Sequence, residues 1–138
     1  MTKFSAFMDI RVYYEDTDHG GVVYYANYLK FMERARSEFL RSAGLELDVI
    51  ERDFSVLFAV TEAHVLYHAP ALFNDLLNVE SCITRLHGAR ISFKQSIFRK
   101  HDHKLLTDAD IHLACISRSG KVSRIPASVR SILKQEIS

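Results

Sequence analysis

Apolar and polar residues alternate from Met8 to Glu15, which predicts a strand. Asp16 to Gly21 reads as a turn, and beyond it the apolar period lengthens. Tyr28, Met32, Ala35, Phe39 and Ala43 recur at i, i+4, i+7, i+11 and i+15, with Leu29, Phe31 and Leu40 widening the stripe. That spacing predicts one long amphipathic helix from about Tyr25 to Ala43, buried on its broad apolar face against a sheet. Lys30, Glu33, Arg34, Arg36, Glu38 and Arg41 take the other face, with Arg34 and Glu38 spaced as an i,i+4 pair. Gly44 suits the residue that ends the helix.

Leu45 to Asp53 reads as a short helix or a loop. Four strand-like runs follow: Val56–Ala69, Leu76–Leu86, Ala89–Phe98 and Leu105–Ser117. Ile91, Phe93 and Ile97 share a face on which Gln95 is the exception, and Ile111, Leu113 and Cys115 share another. Pro70 with Asn74-Asp75, His87-Gly88, Lys100–His103 and Ser119–Lys121 punctuate the runs as turns. Pro126 suits the first turn of a C-terminal helix carrying Val129, Ile132, Leu133 and Ile137. The sum is a single domain over residues 1–138 of class α+β: one strand, one long helix, then four strands in hairpin sequence forming an antiparallel sheet. A single helix leaves edges and part of a face to be covered, which predicts a homodimer or a higher symmetric oligomer.

Composition narrows the function classes. The chain has 138 residues, 48% of them hydrophobic, and a formal net charge of +1. That balance gives no broad face for nucleic acid. No apolar run approaches the roughly 18 residues of a membrane span, and the N-terminus lacks a signal-peptide core. Cys82 and Cys115 fall in apolar runs and read as reduced core residues, so a cytoplasmic location is expected.

The candidate chemistry lies between the first strand and the long helix. Asp16 and Asp18, a Gly20-Gly21 turn and a helix start fall within about ten residues. A helix N-terminus offers unpaired N–H groups and partial positive charge to a developing oxyanion. A carboxylate beside it can act as base or nucleophile, a pairing suited to acyl transfer. An isolated Asp-x-Asp is most often a solvated turn or a helix cap. Here the surrounding pattern is longer: Arg11-Val12, Thr17-Asp18, Gly21-Val22-Val23 and Ala26-Asn27-Tyr28, followed by Glu33-Arg34-Ala35-Arg36-Ser37-Glu38.

That pattern resembles the active-site signature of the 4-hydroxybenzoyl-CoA thioesterase family, in particular its YbgC-type acyl-CoA thioesterases. Tyr67-His68-Ala69-Pro70-Ala71 with Asp75, and Ile125-Pro126 before a helix, extend the resemblance over nearly the whole chain. It implies a hot-dog fold, an antiparallel sheet wrapped around the long helix. It also implies a homodimer or homotetramer with active sites at the subunit interface, and hydrolysis of an acyl-CoA without a cofactor. The catalytic carboxylate of the family falls on Asp18 and its oxyanion donor on the backbone N–H of Tyr25. Many YbgC-type relatives carry His where this chain has Tyr25; a backbone donor survives that exchange, a role for an imidazole does not. Tyr14 matches a motif tyrosine near the site, and Gly21 and Tyr28 are carried over as substrate contacts.

Coenzyme A carries phosphates, so cations are expected along its path: Arg90 first, then Arg85, Lys94, Arg99 and Lys121. The seven histidines do not imply a metal. His64 and His68 are about 13 Å apart on a strand, and His101-x-His103 lacks a third ligand. His19 and Asp16 read as turn residues. An acyl-carrier protein is an alternative carrier of the acyl group. A non-catalytic acyl-binding module is the second function class, and the Asp18–Gly–helix arrangement argues against it.

Overall fold

The computed structural model describes residues 5–137. Strand β1 (Ala6–Arg11) runs into a single 3-10 turn at Tyr14–Asp16, then helix α1 (Asn27–Ser42) and helix α2 (Leu47–Phe54). Strands β2 (Val56–Tyr67), β3 (Leu76–His87), β4 (Arg90–Arg99) and β5 (Lys104–Ser117) follow, and helix α3 (Ala127–Gln135) ends the chain. Among the described residues the strands form one five-stranded sheet in the order β1-β3-β4-β5-β2, every pair antiparallel.

Two expectations are corrected by this order. Only β3, β4 and β5 are joined as consecutive hairpins; β2 pairs with β5, so the Pro70–Asp75 connection crosses the sheet instead of turning back on itself. The first strand stops at Arg11 and not at Glu15. The Asp16 carboxylate accepts the Tyr13 N–H at 2.8 Å, which closes a tight turn where alternation alone predicts more strand.

Helix α1 lies across the inner sheet face. Phe31, Met32 and Phe39 are sealed against Leu77, Val79, Ile83, Phe93 and Ile97, and Phe39 meets Phe93 edge-to-face at 5.6 Å. Burying each such side chain stabilises the fold by about 1.5–3 kcal/mol. Leu29 is the outlier of the predicted stripe, standing 42% exposed at the helix flank. Pro126 is the cap before α3 and not within its first turn; its extended backbone directs the chain so that Val129 and Leu133 reach the core.

The Gln95 exception is the polar centre of the core. Its amide is fully buried, accepts Arg36 Nη1 at 3.0 Å, and donates to Met32 O at 3.0 Å and Ser81 Oγ at 2.9 Å. Arg36 therefore leaves the solvent face predicted for it and points between α1 and the sheet, 8% exposed. Glu38 turns to Arg41 and not to Arg34, because Arg41 also gains Glu46 at 2.9 Å.

On the outer sheet face Asp108 accepts His68 Nε2 at 2.6 Å and Lys94 Nζ at 3.2 Å. The His68 bond, more than the opposing burial and with help from Lys94, holds the Asp108 carboxyl below the usual carboxylate range. A carboxyl depressed by folding stabilises the fold above its unfolded pKa, about 3.9, and loses that contribution as pH falls through the folded value. Asp108→Asn is thus expected to lower the melting temperature at pH 7, with the gap to wild type closing below about pH 4. Thermal melts of both proteins from pH 7 to pH 3 check it; a gap that does not depend on pH would contradict it.

Strand β2 forms one edge of the sheet. Its outer N–H and C=O groups meet no strand among the described residues, and Val60, Leu66 and Tyr67 are 50%, 47% and 46% exposed. No helix of the described residues is long and apolar enough to cross a membrane.

Candidate active site

The loop between β1 and α1 is a hydrogen-bonded reversal. Asp18 N–H donates to Val22 O at 2.8 Å, Gly21 N–H to Asp18 O at 3.1 Å, and Thr17 bridges Val23. Gly21 has φ +81, a left-handed conformation that side chains rarely adopt. Within the turn Gly20 N–H donates to Asp18 Oδ1 at 2.8 Å, and a Cβ at Gly20 would stand 3.4 Å from that oxygen. One carboxylate oxygen is thereby fixed. The other has no partner among the described residues, and the side chain is exposed.

The returning limb sets the helix start. Tyr24 N–H donates to Asp16 O at 3.0 Å, and Asn27 Nδ2 donates to the same oxygen at 2.8 Å. This pairing keeps Tyr24 extended, so α1 begins at Asn27 and not at Tyr25. Tyr25 stands in the turn just ahead of the helix, and its backbone N–H and that of Ala26 have no acceptor among the described residues. Its carbonyl accepts Tyr67 Oη at 3.1 Å. A free donor at the positive end of a helix is what an oxyanion site requires.

A third segment, Pro70–Asp75, supports the loop from beneath. Val22 bridges Leu72, and Val23 N–H donates to Ala71 O at 2.9 Å. Arg99 anchors the segment by donating to Pro70 O at 2.9 Å and Asp75 Oδ2 at 3.1 Å. Burial alone would lower the Arg99 pKa, but Asp102 and Asp75 hold the guanidinium above its ordinary value. Tyr28 Oη accepts Ala71 N–H at 3.0 Å.

The predicted substrate contacts separate on these facts. Tyr14 is 80% exposed with its ring 5.9 Å from Phe73, beside the Asp18 loop. The ring of Tyr25 is exposed and stands 4.9 Å from Tyr24 and 6.4 Å from Tyr67. Tyr28, by contrast, is 3% exposed; it supports the Pro70–Asp75 segment from the core and presents no surface. Arg90 begins β4, whereas the loop-supporting Arg99 ends it, roughly 30 Å away along the strand. Within one chain Arg90 therefore stands far from Asp18. Lys94 and Arg99 are taken by Asp108, Asp75 and Asp102. The contact of Tyr67 with Tyr25 and the anchoring role of Arg99 escape the sequence reading, although the Tyr67–Ala71 pattern with Asp75 marks the segment they serve.

Two cavities lie along the seam between α1 and β2, beginning at Leu29, four residues beyond Tyr25. One of about 470 Å³ is lined by Leu29, Glu33, Arg36, Val60 and Ala63, among others. The next, about 310 Å³, shares Glu33, Arg36 and Val60 and is otherwise mainly apolar, with Leu40, Ile50 and Phe58 in its walls.

An antiparallel sheet around one long helix, with an Asp–Gly–Gly loop at the helix start, defines a hot-dog thioesterase fold. The chain belongs to the thioesterase-like superfamily, whose family model matches residues 12–133. It is 38% identical over 127 residues to the acyl-CoA thioester hydrolase YbgC of Escherichia coli, covering 91% of this chain and 93% of that one. Among solved structures, a probable thioesterase from Bartonella henselae superposes with a TM-score of 0.84 at 36% identity, over 88% of this chain and 99% of its own. A 1,4-dihydroxy-2-naphthoyl-CoA thioesterase from Synechocystis gives a TM-score of 0.86 at 27% identity, over 94% and 96%.

Proposed function

We propose that this protein hydrolyses acyl-CoA thioesters to the free acid and coenzyme A, with Asp18 delivering the attack and the Tyr25 N–H receiving the oxyanion. The observation that carries the reading is the half-held carboxylate. Gly20 fixes one oxygen of Asp18 and leaves the other bare, seven residues before an unpaired N–H at the start of α1. The free oxygen either attacks the thioester carbon, giving an acyl anhydride that water opens, or takes a proton from an attacking water. Tyr14 and Tyr25 supply aromatic surface at the mouth, and Gly21 keeps the turn open. Neither route calls for a cofactor.

The working unit in this reading is a homodimer joined along β2. Two β2 edges pairing antiparallel would continue the sheet and cover Val60 and Leu66. The two-fold would also bring the Val56 end of one sheet beside the Tyr67 end of the other. Arg90 lies at the Val56 end, on β4, with β5 between them. Arg90 of the partner subunit would thus stand on the same side as Asp18, where it suits a coenzyme A phosphate. Sedimentation equilibrium is expected to return the dimer mass or twice it. A monomer at micromolar concentration would remove Arg90 from the site.

The free thiols of Cys82 and Cys115, both buried, accord with a reducing cytoplasm. Thiol release from acyl-CoAs of short, medium, long and aromatic acyl type, beside the matching acyl-carrier proteins, tests the reaction and its carrier. Turnover is expected on the acyl-CoAs. Binding of every substrate without turnover would make the protein an acyl-CoA-holding module instead.

A further inference from the structure

Arg36 is buried beyond what its single partner explains. It is 8% exposed, and of its five N–H donors only one, on Nη1, has an acceptor, Gln95 Oε1. No carboxylate among the described residues forms an ion pair with it, although the charge of Glu33 acts on it from farther off. Glu33, which lines the same two cavities, accepts Ser37 Oγ at 2.8 Å on its Oε2. Burial lowers the Arg36 pKa, more than the Glu33 charge raises it. The remaining donors are not sealed in protein, since the sealed polar side-chain atoms without a partner among the described residues are Thr107 Oγ1 and Arg130 Nε. Arg36 lines both seam cavities.

The placement aligns this group with the thioester site. Leu29, Glu33 and Arg36 fall at i, i+4 and i+7, a single stripe along the α1 axis, and Tyr25 stands in the turn just ahead of it. From Leu29 to Arg36 that stripe spans about 10 Å, and the long Arg side chain leans back toward the helix start and Tyr25. An acyl chain whose carbonyl sits at Tyr25 N–H would run along Leu29 and Ala63 and meet the guanidinium with its far end. A buried guanidinium without an ion-pair partner favours a carboxylate, which its planar fork binds through two parallel bonds.

Resting on the hydrolysis proposed above, we infer that Arg36 is a specificity-determining residue for acyl groups that end in a second carboxylate, so that the preferred substrates are medium-length half-thioesters of dicarboxylic acids. The reaction is unchanged: water adds at the thioester carbon, the C–S bond breaks, and the thiol leaves with a proton while the distal carboxylate stays bound.

The test compares chain-matched pairs, decanoyl-CoA against the CoA half-thioester of decanedioic acid, and the same pair at dodecanoyl length, with wild type, Arg36→Met and Arg36→Lys. Wild type is expected to favour the diacid member in kcat/KM. Arg36→Met is expected to lower that diacid-to-monoacid ratio about tenfold or more, the worth of a charge-assisted pair, with Arg36→Lys in between. A merely structural Arg36 would lower both substrates together and leave the ratio alone, which overturns the inference. So does a wild-type preference for the plain chains, the result expected if a partner subunit's carboxylate occupies the guanidinium. Should Arg36→Met not fold, inhibition of wild type by decanedioate against decanoate decides, and stronger inhibition by decanoate overturns it. If wild type cleaves no thioester at all, the hydrolysis reading fails. Calorimetric binding of the two half-thioester pairs to wild type and Arg36→Lys then reads the Arg36 preference separately: tighter diacid binding that Arg36→Lys weakens supports it, and equal binding overturns it.

Discussion

Asp18→Asn is expected to reduce turnover of the best acyl-CoA by about 10²-fold or more, several kcal/mol of transition-state stabilisation, without a matching loss of fold. The geometry separates the two roles of the side chain. The amide oxygen of Asn can still accept the Gly20 N–H now bound by Asp18 Oδ1, so the turn keeps its shape. What is lost is the second oxygen, which no other group among the described residues engages: an NH₂ neither attacks a carbonyl nor takes a proton from water. Steady-state thiol release and a melting curve on the same preparation check the expectation. A kcat within a few-fold of wild type would remove Asp18 from the chemistry. A large fall in melting temperature would show that the carboxylate serves mainly to hold the loop. In a single turnover in heavy-oxygen water, label found in Asp18 would establish an anhydride opened at the Asp18 carbonyl, since direct attack by water puts the label only in the product acid.

Gln95→Leu should be among the most damaging changes away from that loop, destabilising the fold by about 1.5–3 kcal/mol. Size and shape are nearly kept, so little of the loss comes from a cavity. The loss comes from Arg36, which would stay under α1 with its one acceptor gone, and from Ser81 Oγ, which would lose the amide that donates to it. Urea unfolding measures the effect, and the double variant Gln95→Leu with Arg36→Leu tests its origin. Removing both partners of a buried polar pair is far less costly than removing one, so the double variant should recover much of the stability. Simple additivity of the two losses would place the damage in packing instead.

What the sequence disclosed follows from where its information is local. The α1 stripe from Tyr28 to Phe39 and the alternation in β3 to β5 are short-range patterns, and the structure buries those residues much as expected. The helix start slipped by two residues because Asp16 O holds Tyr24 and Asn27, a pairing between residues eight and eleven apart that periodicity does not encode. Arg36 was placed outside because a guanidinium on a helix normally seeks water. Its acceptor, Gln95, lies far along the chain and was visible only as an oddity among Ile91, Phe93 and Ile97. Arg90 was assigned by residue type, and only the strand register shows that it sits at the end of β4 remote from Asp18. The loop itself was legible because its turn, its glycines and its carboxylate are contiguous.

The strand order also governs how the chain comes together in time. The two outermost strands, β1 and β2, are the first two in the chain, while the inner strands that receive them come later. During synthesis β2, with its run of apolar side chains, must wait for the whole β3–β4 hairpin and then β5 before it has a neighbour within its own chain. Such non-local closure makes folding slow and leaves a sticky segment open in the meantime. Refolding yield should therefore fall with rising protein concentration, and the segment most in need of chaperone protection at the ribosome is Val56–Tyr67.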